Sequence, residues 1–328
     1  MRPVLAITMG DVNGVGPEVL AKALAQAEVW AQCRPVVVGS AHVLEAARRD
    51  VDGFPELRAV RHLDEAAFAG EGCPVVDGGF AAPTYRPGTL DAAAGRCAVE
   101  WIKLAVQWAM GGEVAGVVTC PINKEGIHRA GCRYAGHTDL IAAMTSSPDW
   151  RMCLFAGPMR VVHNTGHCSL REAIGAVTQE RVAASIRIGH EALVRLGLPQ
   201  RRIAVAALNP HAGEAGAFGS ESAEVIAPAV EACQAAGMAC SGPHPADTVF
   251  RRMREGEFEL VVAMYHDQGH IPMKLIAMDE GVNVTLGIPI VRTSVDHGTA
   301  YDIAGKGVAR AESLCAAIAL AAEFAGHG

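Results

Sequence analysis

Short apolar runs alternate with amphipathic segments along almost the whole chain. The apolar runs predict buried strands, and apolar positions spaced three and four residues apart predict the helices between them. The predicted strands are 4–9, 34–39, 74–77, 115–120, 151–155, 159–163, 203–208, 259–264 and 282–286. The predicted helices are 17–30, 41–49, 90–110, 178–196, 221–237 and 308–325, with shorter ones beginning near 121, 137 and 169. This alternation is typical of an α/β sheet protein.

Three of the predicted strands run directly into histidines. His167 follows strand 159–163, His211 follows strand 203–208, and His266 follows strand 259–264. The carboxyl ends of strands are where an open α/β sheet binds its ligands. Taken singly, each histidine is more typical of a hydrogen-bonded structural residue. Together they predict a divalent metal site, because neutral imidazoles are ligands for ions such as Zn, Co, Ni or Mn.

The stretch 265–274, Tyr-His-Asp-Gln-Gly-His-Ile-Pro-Met-Lys, is predicted to be a loop at the centre of this chemistry. Asp267 in this stretch and Asp247 are candidates for a catalytic base or for a carboxylate that orients a metal ligand, and Lys274 acting through water is a third candidate for the base. Lys274, Asn283 and Arg292 are predicted to bind an anion, because arginine grips phosphate through two parallel hydrogen bonds. The alternative is that these three are ordinary surface polar residues.

Two helix starts are further candidates for anion binding. His137 and Thr138 open a helix after Gly136; Thr138 suits a capping role, whereas His137 is well placed to hold a phosphate or carboxylate. The turn 10–16 joins the first strand to the first helix, and it is either a plain tight turn or a ligand loop. It contains neither the GxGxxG nor the Walker A pattern, so it does not identify residues that bind a dinucleotide.

Composition narrows the classes of partner. The chain has 328 residues, of which 50% are hydrophobic and 19% charged, with a net charge of −7 and no basic block, which argues against nucleic acid as a ligand. No apolar segment reaches the ~18 residues of a membrane span, and the N-terminus lacks a signal peptide pattern. The ten cysteines form no CxxC pair and are expected to be reduced. We therefore expect a cytoplasmic protein without a membrane partner.

Six motifs resemble the 4-hydroxythreonine-4-phosphate dehydrogenase family. They are Gly10-Asp11 with Gly14-Val-Gly-Pro-Glu18, Pro121-Ile-Asn-Lys-Glu125, Ala135-Gly-His-Thr138, Leu208-Asn-Pro-His-Ala-Gly-Glu214, Tyr265-His-Asp-Gln-Gly-His-Ile-Pro-Met-Lys274, and Val291-Arg-Thr-Ser-Val-Asp-His-Gly-Thr-Ala-Tyr-Asp-Ile-Ala-Gly305. The similarity runs from residue 4 to the C-terminal helix, and the last two motifs are long and specific.

The resemblance implies a particular fold and assembly. The expected fold is α/β and isocitrate/isopropylmalate-dehydrogenase-like, with two α/β/α lobes that share a mixed sheet and have a cleft between them. The first lobe is expected at residues 1–130 plus 280–328, and the second at 131–279, carrying the metal ligands and a dimer interface. The family also implies a homodimer with the active site at the subunit interface.

The resemblance further implies a reaction. The family oxidises the secondary alcohol of 4-hydroxythreonine 4-phosphate with NAD (or NADP), and the product loses CO₂, as in pyridoxal phosphate biosynthesis. A divalent metal (Zn, Mn, Co or Mg) would be bound by His167, His211 and His266, the last contributed by the partner subunit. The residues implied to hold the substrate and its phosphate are His137, Thr138, Lys274, Asn283 and Arg292.

Three positions depart from the biosynthetic enzymes of the family. Val12-Asn13 stands where Pro-Ala is usual, Gly166-His-Cys-Ser-Leu170 replaces a Thr-His-x-Pro-Leu pattern, and Ser220-Glu-Ser222 replaces Arg-Glu-Glu. The sequence Ser169-Leu-Arg-Glu172 is more similar to the branch that acts on D-threonate or D-erythronate 4-phosphate, which is the alternative function.

Three other functions are weaker alternatives. A third branch oxidises dihydrodiols of aromatic dicarboxylates and has no phosphate to hold, so the intact Gly136-His-Thr138 and Arg292-Thr293 argue against it. A metal-dependent phosphatase could be built on the same three histidines. A sensor of metal or sugar phosphate would bind its ligand without turnover, but the chain shows no DNA-binding motif that would support it.

Overall fold

The computed structural model describes residues 2–48, 51–66, 72–278 and 280–326, which form a mixed α/β structure. Its strands are β1 Val4–Thr8, β2 Arg34–Val38, β3 Leu57–Val60, β4 Cys73–Val76, β5 Gly116–Thr119, β6 Arg151–Ala156, β7 Met159–His163, β8 Ile203–Ala206, β9 Cys240–His244, β10 Leu260–Ala263, β11 Val282–Leu286 and β12 Arg292–Val295. Its α-helices are α1 Gly16–Leu24, α2 Ala27–Gln32, α3 Ala41–Ala47, α4 Ala92–Met110, α5 Lys124–Arg129, α6 His137–Met144, α7 Leu170–Gly175, α8 Gln179–Arg195, α9 Ala227–Ala235, α10 Ala246–Arg254, α11 His266–Ala277 and α12 Glu312–Gly326. Within these ranges, no helix is both long enough and apolar enough to cross a bilayer.

The chain divides into two compact units, of which the first contains residues up to 148 and residues 288–326. Its strands lie in the order β3-β4-β2-β1-β5-β12, and every neighbouring pair is parallel. Strands β2 and β5 are almost entirely apolar and buried, as expected for parallel strands covered on both faces. The register sets Thr8 of β1 opposite Thr119 of β5, so the carboxyl ends of these strands meet at one edge.

The second unit, residues 149–287, contains a mixed sheet in the order β11-β6-β7-β10-β8-β9. Strand β6 is antiparallel to β11 and to β7, whereas β7, β10, β8 and β9 are mutually parallel neighbours. Val261 of β10 belongs to a buried cluster with Phe250 of α10. On the opposite face, Gly189 of α8 lies against Leu260 of β10. Helices therefore cover both faces of this sheet.

Most predicted elements are confirmed, including the hairpin of β6 and β7 and the long helix α4. Strands β3, β9 and β12 and helix α10 were not predicted, and the predicted helix 17–30 is two helices, α1 and α2. The prediction that 265–274 is a loop is wrong, because this stretch forms most of α11. In the sequence, Pro272 is a signal against a helix, because proline has no amide hydrogen for the helical hydrogen bond. The helix nevertheless forms around it, and its inner side buries Gln268, His270 and Met273.

The boundaries between the units lie at 148/149 and 287/288, whereas the sequence placed them near 130/131 and 279/280. Two packing contacts account for the difference. Helix α6 packs against α4 and so belongs with the first unit, although it follows residue 131. Strand β11 pairs with β6 and so belongs with the second unit, although it follows residue 280.

The segment that carries His211 has an unusual backbone. Residues 211–215 all have positive φ angles, from 42° at Glu214 to 87° at Gly213, so the chain makes a left-handed helical turn after β8. In this region a residue other than glycine costs about 1–2 kcal/mol, because its Cβ approaches the following carbonyl oxygen. Such a cost persists only where the surrounding structure imposes the conformation.

We predict that Ala212→Gly, at a φ of 55°, stabilises the protein by up to about 1 kcal/mol, since glycine relieves the steric cost but loses more backbone entropy. The measurement is the free energy of unfolding in urea. The matched control is Ala232→Gly, an exposed position within α9, which should destabilise by about 1 kcal/mol. Equal destabilisation by both substitutions would show that the left-handed turn carries no strain.

Candidate functional site

Three parallel strands of the second unit bring the candidate metal ligands to one edge of the sheet. Strand β10 lies between β7 and β8, and all three run in the same direction. His167 follows β7, His211 follows β8, and His266 is the first residue of α11 directly after β10. This arrangement confirms that the three histidines leave from strand ends at the same edge.

His167 and His266 are close together, and the structure fixes how His266 can bind. Their ring centroids are 5.0 Å apart. Nδ1 of His266 lies 2.7 Å from Oδ1 of Asp267, so the carboxylate accepts the Nδ1 hydrogen and leaves Nε2 free to bind a cation. Metal-binding histidines commonly have such a carboxylate on the other ring nitrogen. The donor chemistry of this pair therefore fits a divalent transition metal.

His211 and Asp247 lie on neighbouring elements. The left-handed turn that carries His211 contacts α10, and Asp247 is the second residue of that helix. Both residues are exposed. Within residues 2–48, 51–66, 72–278 and 280–326, no three His, Cys, Asp or Glu side chains of one chain come together as a metal-binding group. A complete metal site on these residues therefore needs either a rearrangement or a ligand from a second chain.

A buried pair of histidines supports the ring of His266. The His270 ring stacks on His266 with centroids 3.8 Å apart and an interplanar angle of 14°. Nδ1 of His270 lies 2.9 Å from Nε2 of His163, whose own Nδ1 lies 3.1 Å from the carbonyl oxygen of Met152. Because a carbonyl only accepts, His163 donates through Nδ1 and accepts from His270 through Nε2. Gly269 permits this approach, since a Cβ there would lie 2.5 Å from Nε2 of His163.

Burial keeps His163 uncharged. Loss of solvent, the largest cause, and the nearby His270 together lower its pKa to about 3. His163 is 1% exposed. At neutral pH the ring is therefore neutral, which the hydrogen-bonding pattern with Met152 and His270 also requires.

The loop that precedes His167 is held by a buried arginine network. Arg151, which is 1% exposed, donates from Nε to Oγ of Ser185 at 2.8 Å, and Ser185 in turn donates to Oδ1 of Asn164 at 2.9 Å. Arg181 donates to the carbonyl oxygen of Asn164 at 2.6 Å. Two of these bonds end on Asn164 and tie the chain before His167 to Arg181 and Ser185 of α8. The network therefore holds the start of the 164–167 loop.

Two predicted substrate ligands also lie in the second unit. Lys274 is in the last turn of α11, and Asn283 is in β11, opposite Leu154 of β6. Both side chains are partly exposed. They are therefore accessible to a ligand.

The first unit contains the other predicted anion ligands. Arg292, at the start of β12, is 2% exposed and donates from Nη2 to Oγ1 of Thr119 at 2.9 Å. Burial lowers the pKa of Arg292 to about 9, so the guanidinium remains charged at neutral pH. His137 and Thr138 are the first two residues of α6.

His137 is neutral and presents an unused ring nitrogen. Its pKa is well below the usual range because the ring is buried, and the positive charge of Arg292 lowers it further. One ring nitrogen donates to the carbonyl of Cys120. Nε2 is buried and has no hydrogen-bond partner among the described residues. A neutral His137 next to a charged Arg292 can accept a hydrogen bond from a ligand whose anionic group the arginine attracts.

The sequence reasoning missed a buried acid in the same unit. Asp11 is fully buried, and its Oδ2 accepts a hydrogen bond from the hydroxyl of Tyr301 at 2.5 Å, while Oδ1 accepts from the amide of Asn13 at 2.9 Å. Burial raises the pKa of Asp11 in spite of these two hydrogen bonds, which lower it. The signal in the sequence was an acid placed directly after a buried strand.

We predict that Tyr301→Phe destabilises the protein by about 1.5–3 kcal/mol near pH 7, because it removes a hydrogen bond to a buried carboxylate. The folded-state pKa of Asp11 lies above its ordinary value, so folding favours the protonated acid and stability is lost as the pH rises through that window. Removing the hydroxyl raises this pKa further. The loss in unfolding free energy should therefore be larger at about pH 7 than at about pH 4.

The control for this prediction is Tyr134→Phe, because the Tyr134 hydroxyl is exposed and bonds to the exposed side chain of Arg133. Urea unfolding of this variant should change by less than about 0.5 kcal/mol at both pH values. A Tyr301→Phe variant whose loss is independent of pH would contradict the link to Asp11.

Comparison with known proteins reveals close relatives over the full chain. The sequence profile of the family described as pyridoxal phosphate biosynthetic protein PdxA matches residues 31–321. The chain is 46% identical to a D-threonate 4-phosphate dehydrogenase from Cupriavidus necator, over 98% of this chain and 97% of the relative. It is 44% identical to a 4-hydroxythreonine-4-phosphate dehydrogenase from Desulfosudis oleivorans, over 99% and 96% of the two chains.

A solved structure has the same fold. The crystal structure of a 4-hydroxythreonine-4-phosphate dehydrogenase from Klebsiella pneumoniae superposes with a TM-score of 0.90 at 44% identity, covering 99% of this chain and 98% of the other.

Proposed function

This chain belongs to the family of pyridoxal phosphate biosynthetic proteins PdxA, and we propose from this that it is an NAD-dependent, metal-dependent, decarboxylating dehydrogenase. Its substrate would be a four-carbon hydroxy acid 4-phosphate. The secondary alcohol would lose its hydroxyl proton to a base and its hydride to NAD or NADP, and the resulting β-keto acid would then lose CO₂. The observation that carries the proposal is that three neighbouring strand ends at one sheet edge present His167, His211 and His266, with the Nε2 atom of His266 free to bind a cation.

We propose that His167, His211 and His266 bind the metal. When bound, a divalent ion would polarise the alcohol oxygen and stabilise the negative charge that develops as CO₂ leaves. The chain's own contribution is orientation. Asp267 holds the tautomer of His266, His270 stacks on its ring, and the arginine network holds the loop before His167.

The proposal includes a homodimer in which His266 is contributed by the partner subunit. Two helices beside the candidate ligands expose apolar side chains, as an interface would require. The exposed side chains on α7 are Leu170 at 57% and Ile174 at 47%, and those on or just after α11 are Ile271 at 65%, Leu275 at 85% and Met278 at 73%. A partner covering these residues would also supply the ligand that a single chain lacks.

The residues proposed to bind the substrate include a buried cation that suits a phosphate group. We propose that His137, Thr138, Lys274, Asn283 and Arg292 hold the substrate and its phosphate. Arg292 supplies a charged guanidinium in a buried position, where electrostatic attraction is stronger than in water.

A base must accept the hydroxyl proton of the substrate. Asp267 already accepts a hydrogen bond from His266, so its role in this proposal is to orient that ring. Asp247 and Lys274 are therefore the candidates for the base. Both side chains are accessible to solvent in the second unit.

Two substrates fit this reaction. The first is 4-hydroxythreonine 4-phosphate, which carries an amine, and the second is D-threonate 4-phosphate, which carries a hydroxyl instead. Relatives named for each substrate have nearly equal identity, 44% and 46%, so identity does not separate them. The observation that favours the second is the Ser169–Glu172 segment directly after His167, which forms a complete capping box at the start of α7.

The first test measures NADH formation by the purified, Zn- or Mn-loaded protein with each of the two substrates, and with erythronate 4-phosphate. We expect NADH and CO₂ without release of inorganic phosphate, because the phosphate serves only as a binding group. A preference for the amine-bearing substrate would assign the chain to the biosynthetic reaction. A preference for D-threonate 4-phosphate would assign the chain to the oxidation of that hydroxy acid phosphate. Phosphate release without NADH would contradict the proposal and support a phosphatase.

We predict that His211→Ala lowers kcat by at least about 100-fold, because a three-ligand site loses one ligand. The control is His62→Ala, an exposed histidine outside the site, which should retain normal turnover and zinc content. Zinc content after gel filtration is the second readout. Wild-type turnover by the His211→Ala variant in chelator-treated buffer would mean that these histidines do not hold a catalytic metal.

A further inference from the structure

Gln268 connects the strand ends from which the candidate metal ligands depart. Its Oε1 accepts a hydrogen bond from the amide of Met264 at 2.7 Å, and its Nε2 donates to the carbonyl of Ala207 at 2.8 Å. Met264 directly follows β10 and stands just before His266, whereas Ala207 directly follows β8 and stands just before His211. One side chain therefore bridges two histidine-bearing segments, and the bond between Gln268 and Ala207 joins positions that are 61 residues apart in sequence.

The orientation of the Gln268 amide is determined by its partners. The amide of Met264 can only donate and the carbonyl of Ala207 can only accept, so Oε1 and Nε2 cannot be exchanged without losing both bonds. Gln268 is 8% exposed, and Met264 and Ala207 are fully buried. Water is therefore not available to replace either bond.

The third histidine-bearing segment joins the same centre. The hydroxyl of Thr165, two residues before His167, donates to the carbonyl of Met264 at 3.0 Å. The amide of Asn164 donates to the carbonyl of Ala263 at 2.7 Å. Both polar groups of the Met264 peptide are thus engaged: its N–H bonds to Gln268, and its carbonyl accepts from Thr165.

We propose that Gln268 is a positioning residue for the metal sites of the homodimer: within each subunit it sets the placement of the His211 segment, which serves that subunit's own site, and of the His266 segment, which serves the partner's site, without binding the metal or the substrate. The inference rests on the proposed function, because it concerns the metal which that function requires. Residues that orient metal ligands typically change metal affinity by 10–100-fold when they are substituted. Gln268 does so through the backbone, because its bond to Met264 lies two residues before His266 and its bond to Ala207 lies four residues before His211.

The variants are Gln268→Met, which has a similar length but can make neither bond, and Gln268→Asn, which keeps the amide but is too short to bridge both groups. The matched control is Gln234→Met, because Gln234 of α9 also donates from Nε2 to a backbone carbonyl, that of Cys240, at 2.8 Å. That bond lies at the start of β9, away from the three strand ends that precede the histidines.

The experiment measures Zn²⁺ and Co²⁺ affinity by equilibrium competition with a chelating dye, at a temperature where circular dichroism shows every variant to be folded. We expect a 10–100-fold loss of affinity for both Gln268 variants and less than a twofold change for Gln234→Met. The Co²⁺ absorption spectrum should also change for the Gln268 variants, because the ligand geometry changes. A purely structural role would lower the urea midpoint of the metal-free protein and leave affinity and spectrum unchanged, which would overturn the proposal.

Failure of this inference and failure of the proposed function give different results. If the wild-type protein binds neither ion, the proposed metal-dependent function is wrong. If the wild-type protein and all variants bind with equal affinity, the metal site stands and the role of Gln268 is wrong. Should Gln268→Met not fold, Gln268→Asn decides the matter by the same criteria.

Discussion

The parallel pairing of β7, β10 and β8 is the constraint on which the candidate site depends. Parallel neighbours have their carboxyl ends at the same edge, so the three segments that carry His167, His211 and His266 must leave the sheet together. The last peptide groups of such strands have no continuing ladder, and when they are buried they need other partners. Here the partners are side chains next to the histidines, so satisfying the backbone also places the site.

Burial lowers the pKa of both histidine and arginine side chains, but it removes the charge only from the histidines. Loss of solvent lowers the pKa of a histidine below neutral pH, so His163 and His137 are uncharged and act through hydrogen-bond geometry. The same effect lowers the pKa of Arg292 only to about 9, because arginine starts from a much higher value. The fold can thus bury both residue types close together and retain a positive charge only on the arginine, which suits the recognition of an anion next to a neutral acceptor.

Hydrophobic periodicity and the residues at strand ends predicted much of this structure. Buried parallel strands are continuous apolar runs and are visible in sequence, so β1, β2, β5, β8 and β10 were found, and with them the positions of the three histidines. The helix in 265–274 was not predicted, because Pro272 and two histidines obscure its apolar pattern. Its helical state depends on the tertiary packing of Gln268, His270 and Met273. The Asp11–Tyr301 contact joins residues far apart in the chain, and a single sequence contains no signal for such a pair.

The segment after His167 shows how one departure from the family pattern acts on local structure. Ser169 stands where the biosynthetic enzymes have proline. Its amide donates to Oε2 of Glu172 at 2.9 Å, and the amide of Glu172 donates to the Ser169 hydroxyl at 3.3 Å. Proline lacks both the amide and the hydroxyl, so it cannot make either half of this capping box. The start of α7, and the path of the chain from His167 into it, are therefore fixed by different interactions here, at a point next to a proposed metal ligand.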